Sequence, residues 1–193
     1  MNQSLFLTFY RQAIAFAEAG LRTAGPHISP ALKTDLFVMQ AKAFAGLKDV
    51  GEAYRCIRLA EKAAKEIDRM EEPPETGYVQ PGLVEAQLAE ALIVLGELGP
   101  AREFATEAVR TQAQAHARGR VHRMATLAIV DLDRGEAEQA ASSANHMVDL
   151  AVGMESHHLR HRFAQIGGRL AETGNATAKD AAARIAQVLS IPL

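Results

Sequence analysis

Three histidines, His157, His158 and His161, form the cluster whose residue types and spacing best suit chemistry in this sequence. His157 and His161 are one helical turn apart, a spacing that allows two imidazoles to share a metal ion. No cysteine accompanies them, Glu155 is the nearest carboxylate, and the HExxH order of zinc proteases is absent. We therefore expect histidines that are solvated or line a groove, and we predict neither a metal nor a cofactor.

The stretch HARGRVHR, residues 116–123, is the most basic part of the chain. Arg118 and His122 are four residues apart and share a helical face, which suits contact with an anion or an acidic peptide. The same cations also suit the C-terminal end of the preceding helix, where positive charge is favoured, and both interpretations stay open. Without an aromatic platform or a second basic stripe, we expect no direct binding of nucleic acid.

Cys56 is the single cysteine, so it has no partner for an internal disulfide, which fits a reducing compartment. A nucleophilic role would need a histidine base, and a small packed thiol is the expectation for a cysteine in mid-helix. The sequence contains no nucleophile elbow and no phosphate-binding loop. We predict that the protein is not an enzyme.

The composition favours a helical, cytoplasmic protein. Of the 193 residues 48% are hydrophobic but only 5% aromatic, and an interior of alanine and leucine suits closely packed helices rather than a β-sandwich. The formal net charge of −2 gives no indication of nucleic acid or an anionic membrane as partner. No apolar run approaches the ~18 residues of a membrane span.

A repeated pattern predicts the elements that position these residues. It occurs as LKDVGEAYRCIRLAEKA, LGELGPAREFATEAV and DLDRGEAEQAASSANHM, with glycines at 51, 99 and 135 and alanines two residues later. The intervals of 48 and 36 residues equal the tetratricopeptide period of about 34 residues with insertions. Glycine and proline at Gly99-Pro100 predict a turn between two antiparallel helices.

We predict an all-α fold in which antiparallel helix pairs stack into a right-handed, tetratricopeptide-like α-solenoid of about nine helices. A single domain spans residues 1–193. Its predicted parts are an N-terminal helix and turn (1–28), repeat 1 (29–70), a proline-rich loop (71–82), repeat 2 (83–116), repeat 3 (117–154), and a partial repeat with a capping helix (155–193).

Several longer stretches carry a resemblance to a known family. They are LKTDLFVMQAKAFAGLKDVGEAYRCIRLAEKA, then GLVEAQLAEALIVLGELGPAREFATEAV, Arg118 and Arg120 ahead of a long helix, DRGEAEQA, and LAVGMESHHLRHRFAQIGGRLAE. Together they resemble the tetratricopeptide-like C-terminal part of actinobacterial transcriptional regulators with an N-terminal XRE-type helix-turn-helix. The DNA-binding module has no counterpart here. The resemblance therefore implies a sensory or partner-binding domain, either as a fragment of a regulator or as a stand-alone relative.

In such a solenoid the first helix of each repeat lines the concave face, and its second, fifth and ninth residues project into the groove. The resulting groove is mixed in charge and more basic toward the C-terminus, which suits a protein or peptide partner. The predicted groove residues are Asp35, Val38 and Lys42; Leu83, Ala86 and Glu90; Arg118, His122 and Thr126; and His158 and His161.

A homodimerisation or scaffold module is the alternative function. The N-terminal helix is unusually aromatic for a solvent-facing end of an array, so it would pair with a second copy through Leu5, Phe6, Phe9 and Tyr10. The proline-rich loop 71–82 is longer than an array needs and is expected to lie on one face, with Tyr78 and Pro81 as its contact residues.

Overall fold

The computed structural model of the chain describes residues 5, 8–111, 117–154 and 157–190, without the side chains of residues 157, 158 and 190. Within these residues the fold is all-helical, as predicted, with nine α-helices and no β-strand. The helices are α1 (Tyr10–Ala24), α2 (Pro30–Gly46), α3 (Val50–Ala64), α4 (Leu83–Leu95), α5 (Leu98–Thr111), α6 (Ala117–Asp133), α7 (Ala137–Leu150), α8 (His157–Glu172) and α9 (Ala176–Ser190).

The chain divides into two compact units, unit 1 over residues 1–97 and unit 2 over residues 98–193. The boundary lies inside the predicted repeat 2, between its two helices. Arrangement of both units into one array stays a prediction.

Unit 1 is organised around α2, which packs against α1, α3 and α4, while α3 also contacts α4. Alanines form the seam between these helices, because their small side chains let helix backbones approach closely. Ala45 on α2, Ala53 on α3 and Ala91 on α4 are buried together, with Phe44 and Leu95 packed around them.

Unit 2 repeats this arrangement around α6, which packs against α5, α7 and α8. The next helix, α7, contacts α8 and α9, and α8 packs along α9. Larger side chains fill the C-terminal part of this unit, where Met147, Ile166, Leu170 and Ile185 are fully buried.

Polar side chains fix the starts of several helices. Ser29 accepts a hydrogen bond from the Leu32 amide with Pro30 in the first turn of α2, and Asp49 accepts one from the Glu52 amide at the start of α3. The last helix begins at Ala176, and Asn175 accepts a hydrogen bond from the Ala178 amide.

The turns within the helix pairs correct the predicted repeat register. The residues with left-handed backbone are Lys48, Gly96 and Gly135, each two residues before the next helix. Gly99 and Pro100, predicted to form a turn, lie in the first turn of α5.

Counted from these left-handed residues, the buried alanine five positions later is Ala53, Ala101 and Ala140. Ala140, rather than Ala137, is therefore the equivalent residue in the third repeat. The intervals become 48 and 39 residues.

Candidate functional site

The predicted groove residues of repeat 1 lie on one stripe of α2, because Asp35, Val38 and Lys42 are spaced by three and four residues. Ala31 extends the stripe by one turn toward the N-terminus of the helix. Lys42 is half-buried, whereas Val38 is fully buried and Asp35 is only 8% exposed. The stripe is thus largely covered by other parts of unit 1.

The C-terminal end of the stripe is covered by α4. The Nζ atom of Lys42 donates a hydrogen bond to Oε2 of Glu90 at 2.9 Å, and both side chains are about three-quarters buried, with 26% and 29% exposed. Two predicted groove residues from successive repeats therefore form an ion pair with each other. Sequence spacing placed them on the same face but did not reveal the pairing.

The N-terminal end of the stripe is covered by the segment between α3 and α4. The Tyr78 hydroxyl donates a hydrogen bond to Oδ2 of Asp35 at 2.8 Å. Burial raises the pKa of Asp35, an effect that the Tyr78 hydrogen bond and the positive charge of Lys42 oppose. Burial and the neighbouring Asp35 carboxylate both raise the pKa of Tyr78.

We name residues 69–80 the strap. Its ends are joined by a hydrogen bond from Nη1 of Arg69 to the Val79 carbonyl at 3.2 Å. Oε1 of Glu72 accepts a hydrogen bond from the Ala31 amide at 2.9 Å, and Oε2 accepts one from the Thr76 hydroxyl at 3.0 Å. The strap is therefore held together by its own hydrogen bonds, and it contacts α2 at Ala31 and Asp35, which are one helical turn apart.

The structure does not place Val38 and Ala86 in an open groove. Both side chains are buried, because α2 and α4 pack directly against each other and enclose the small apolar residues between them. Leu83, at the start of α4, is half-buried.

An acidic cavity of about 300 Å³ lies between the N-terminal end of α2 and the loop after α3. Its walls include Glu66, Asp68, Glu71, Glu72 and His27. Among the residues that the structure describes, no group of three or more His, Cys, Asp or Glu side chains is arranged to hold a metal ion.

In unit 2, the predicted groove residues lie on α6 and α8. Arg118 is exposed, His122 is half-buried, and His161 on α8 is exposed. Thr126 is fully buried and its hydroxyl donates to the His122 carbonyl at 3.1 Å, so it bonds to its own helix and does not face a groove. The side chain of His158 lies outside the described residues, as does that of His157, whose spacing to His161 would allow a shared metal.

One contact places the C-terminal ends of α6 and α8 close together. Nη2 of Arg169, near the end of α8, donates to Oδ1 of Asp133, the last residue of α6, at 2.6 Å. At the other end of α8, Arg160 donates to the Leu189 carbonyl near the end of α9. The first halves of α6 and α8 contain no acidic residue, since the sequence has none over 117–130 or 157–171.

Unit 2 contains an ion pair with a buried carboxylate that the sequence did not predict. Asp131 on α6 is 1% exposed, and its Oδ1 accepts a hydrogen bond from Nε of Arg102 on α5 at 2.7 Å. Nε of Arg102 also lies 3.4 Å from Oε2 of Glu136. Burial raises the pKa of Asp131 against the opposing effect of Arg102. An aspartate within the apolar run of α6 was the available signal for this interaction.

Cys56 is buried, as expected, with its Sγ atom 3.8 Å from Oε1 of Gln40. Burial raises the pKa of its thiol to about 11, so the thiolate that a nucleophile requires is disfavoured at neutral pH.

The predicted dimer residues have different environments. Phe9 is 56% exposed, whereas the ring of Tyr10 packs directly onto Gly46 of α2. Leu5 is half-buried, and Phe6 lies outside the described residues. Phe16, which the prediction did not include, is 49% exposed and lies two helical turns after Phe9.

An apolar groove of about 490 Å³ lies between α8 and α9. Its walls are small side chains, mainly alanines with Gly167 and Gly168, and Lys179 lies at its edge. Within the described part of the chain, no helix is both long and apolar enough to cross a membrane.

No protein-family model, curated protein or solved structure matches this chain.

Proposed function

We propose that this chain is a non-enzymatic, tetratricopeptide-like α-solenoid that binds a protein or peptide segment along the faces of its alternate helices. In this proposal it serves as a sensory or effector region similar to that of an actinobacterial transcriptional regulator. Binding would shift the array between two packings and so bias an attached DNA-binding module.

Helix packing within each unit is the observation that carries the proposal. In unit 1, α2 contacts both the next helix and the next but one. In unit 2, α6 and α7 each do the same. First- and second-neighbour contacts of this kind are typical of stacked helix-pair repeats, which use their extended faces for binding.

The charge of unit 2 favours an acidic partner segment. The first halves of α6 and α8 contain no acidic residue and expose Arg118 and His161. Clustered positive charge accelerates association with a negatively charged partner and excludes positively charged ones. Glu155 precedes α8 in the sequence and lies outside the described residues.

Partner capture followed by titration tests the proposal. Proteins retained by the tagged chain are identified, and the retained partner is titrated against the parent chain and Arg118→Glu. We expect binding to weaken about tenfold or more, because the substitution reverses a charge on the binding face. Arg11→Glu, an equal charge reversal at an exposed position of α1, is the matched control. Equal affinity for both variants would contradict the proposal.

Homodimerisation is the second candidate, and the exposure of Phe9 and Phe16 on one side of α1 favours it. Exposed aromatic side chains at this spacing suit packing against another helix. Sedimentation of the parent chain should show a dimer, and Phe9→Ser combined with Phe16→Ser should show a monomer. A monomeric parent at every concentration would exclude this function.

A further inference from the structure

The strap covers the N-terminal end of the stripe of α2 that the proposed function assigns to a partner. Ala31, Asp35, Val38 and Lys42 follow one another along this stripe at intervals of four, three and four residues. Glu72 of the strap bonds to the Ala31 amide and Tyr78 bonds to the Asp35 carboxylate. The strap therefore lies along α2 as a bound peptide segment would.

Its attachment to α2 is limited. Among the described residues, two hydrogen bonds join the strap to α2, and both depend on side chains of the strap. Backbone hydrogen bonds within the strap are short-range turns, such as that from the Thr76 amide to the Pro73 carbonyl. Segments held in this way open locally, at a lower free energy than the helices that they cover.

Burial within the strap is also uneven. Thr76 and Val79 are buried, whereas Tyr78 is 51% exposed although its hydroxyl is bonded to Asp35. A ring that is half in solvent provides little apolar burial to hold the hydroxyl in place. The hydrogen bond between Tyr78 and Asp35 is thus the specific contact at this end of the strap.

When the strap opens, Asp35 loses its hydrogen-bond donor. The opened stripe presents the Asp35 carboxylate as a hydrogen-bond acceptor, so a segment that supplies a donor can bind there in place of the strap. A lysine or arginine side chain would form a charge-assisted bond, which is stronger than the bond from a neutral tyrosine hydroxyl.

We propose that the strap is an internal occupant of the α2 face in unit 1: it opens as a local unit and gives way to a partner segment that brings its own donor to Asp35. This inference rests on the proposed function, because it assumes that the face binds a partner. It adds that the N-terminal end of the α2 stripe cannot bind a partner until the strap is displaced.

Hydrogen exchange of the full chain, followed by mass spectrometry, tests the opening without any partner. In Tyr78→Phe, we expect the strap amides of residues 76–80 to exchange about fivefold faster, with exchange in α2 and α4 unchanged. Tyr54→Phe is the matched control, since it removes the hydroxyl of a tyrosine on α3 that is hydrogen-bonded to Glu97 instead. The control should leave exchange in the strap unchanged.

Unchanged strap exchange in Tyr78→Phe, or strap amides that exchange only together with α2, would overturn the inference. The occupant role is measured with a fluorescein-labelled synthetic peptide of residues 69–80, titrated against the parent chain and Tyr78→Phe. Tighter binding by Tyr78→Phe is expected, because its internal competitor is weaker, and equal or absent binding would contradict that role. If only the proposed function is wrong, Arg118→Glu binds partners as tightly as the parent chain does. The strap amides of Tyr78→Phe then still exchange faster than those of the parent.

Discussion

Each unit buries one aspartate on its central helix, Asp35 on α2 in unit 1 and Asp131 on α6 in unit 2. A neutral hydroxyl from the strap, that of Tyr78, donates to Asp35. A guanidinium from the preceding helix, that of Arg102, donates to Asp131. Burial raises the pKa of both carboxyl groups, so in both units ionisation of the aspartate opposes folding.

The difference lies in what each donor belongs to. Arg102 is part of α5, a helix that packs on α6, so helix packing holds its backbone beside Asp131. Tyr78 belongs to a loop with few attachments, so its bond can break while the four helices of unit 1 stay packed. A buried carboxylate is therefore a fixed structural contact in unit 2 and an exchangeable one in unit 1.

Removal of the Arg102 side chain should have the largest effect on stability. In Arg102→Ala the Asp131 carboxylate stays buried without its hydrogen-bonded cation, which should lower the free energy of unfolding by about 3 kcal/mol. Urea denaturation followed by circular dichroism measures the loss. Adding Asp131→Asn to this variant should restore part of it, because a neutral amide is less costly to bury than a carboxylate.

Arg110→Ala is the matched control for that prediction. Arg110 lies on the same helix and pairs with Glu107, but both side chains are exposed, and exposed pairs contribute little. We expect no measurable change in its urea midpoint. An equal loss in both arginine variants would remove the distinction between a structural and a surface ion pair.

The contact between Tyr10 and Gly46 gives the next largest effect, this time in unit 1. A Cβ atom at position 46 would overlap the ring of Tyr10, so Gly46→Ala should displace α1 and cost about 2 kcal/mol. Hydrogen exchange should become faster in α1 and stay unchanged in the strap. Gly51→Ala, where the nearest atom to an added Cβ is 3.8 Å away, should show neither effect.

Residue patterns predicted the helices well because helix formation depends on local spacing and capping. The composition and the repeats predicted an all-α fold of about nine helices, and nine are described, with Ser29 and Asp49 capping α2 and α3. The error in repeat register has a local cause as well. Either of two glycines could have formed the turn in repeat 2, and only the backbone conformation distinguishes Gly96 from Gly99.

The contacts that define the candidate site could not be predicted in the same way. Tyr78 and Asp35 are 43 residues apart, and Arg102 and Asp131 are 29 apart, so their pairing depends on how whole helices pack. Spacing correctly placed Asp35, Val38 and Lys42 on one stripe. It could not show that Glu90 and the strap cover that stripe. The spacing of residues along one helix is the same whether that helix face is exposed to solvent or packed against another element.

The pH dependence of stability tests whether the cost of burying the Asp35 carboxylate exceeds the stabilisation that Tyr78 and Lys42 provide. Since its folded-state pKa is raised above the unfolded value of about 3.9, the native state binds a proton more tightly than the unfolded state does. Acidification from about pH 7 toward that value should therefore stabilise the parent chain relative to Asp35→Asn. Urea denaturation at several pH values measures the difference. A difference that is independent of pH would contradict burial of the ionised carboxylate.

The smallest predicted effect tests whether unit 2 has a close helix contact comparable to that of Gly46 in unit 1. Gly167 and Gly168 are adjacent on α8, but a Cβ atom at Gly167 would lie 3.0 Å from Cγ2 of Ile185, whereas one at Gly168 would meet nothing within 4 Å. Gly168→Ala should therefore raise the free energy of unfolding by up to about 1 kcal/mol, because alanine favours the helix. In Gly167→Ala the same gain is offset by displacement of Ile185 on α9, so we expect a smaller gain or a loss. Equal gains in urea denaturation would show that α8 and α9 have room between them, and that close packing through glycine is a property of unit 1 alone.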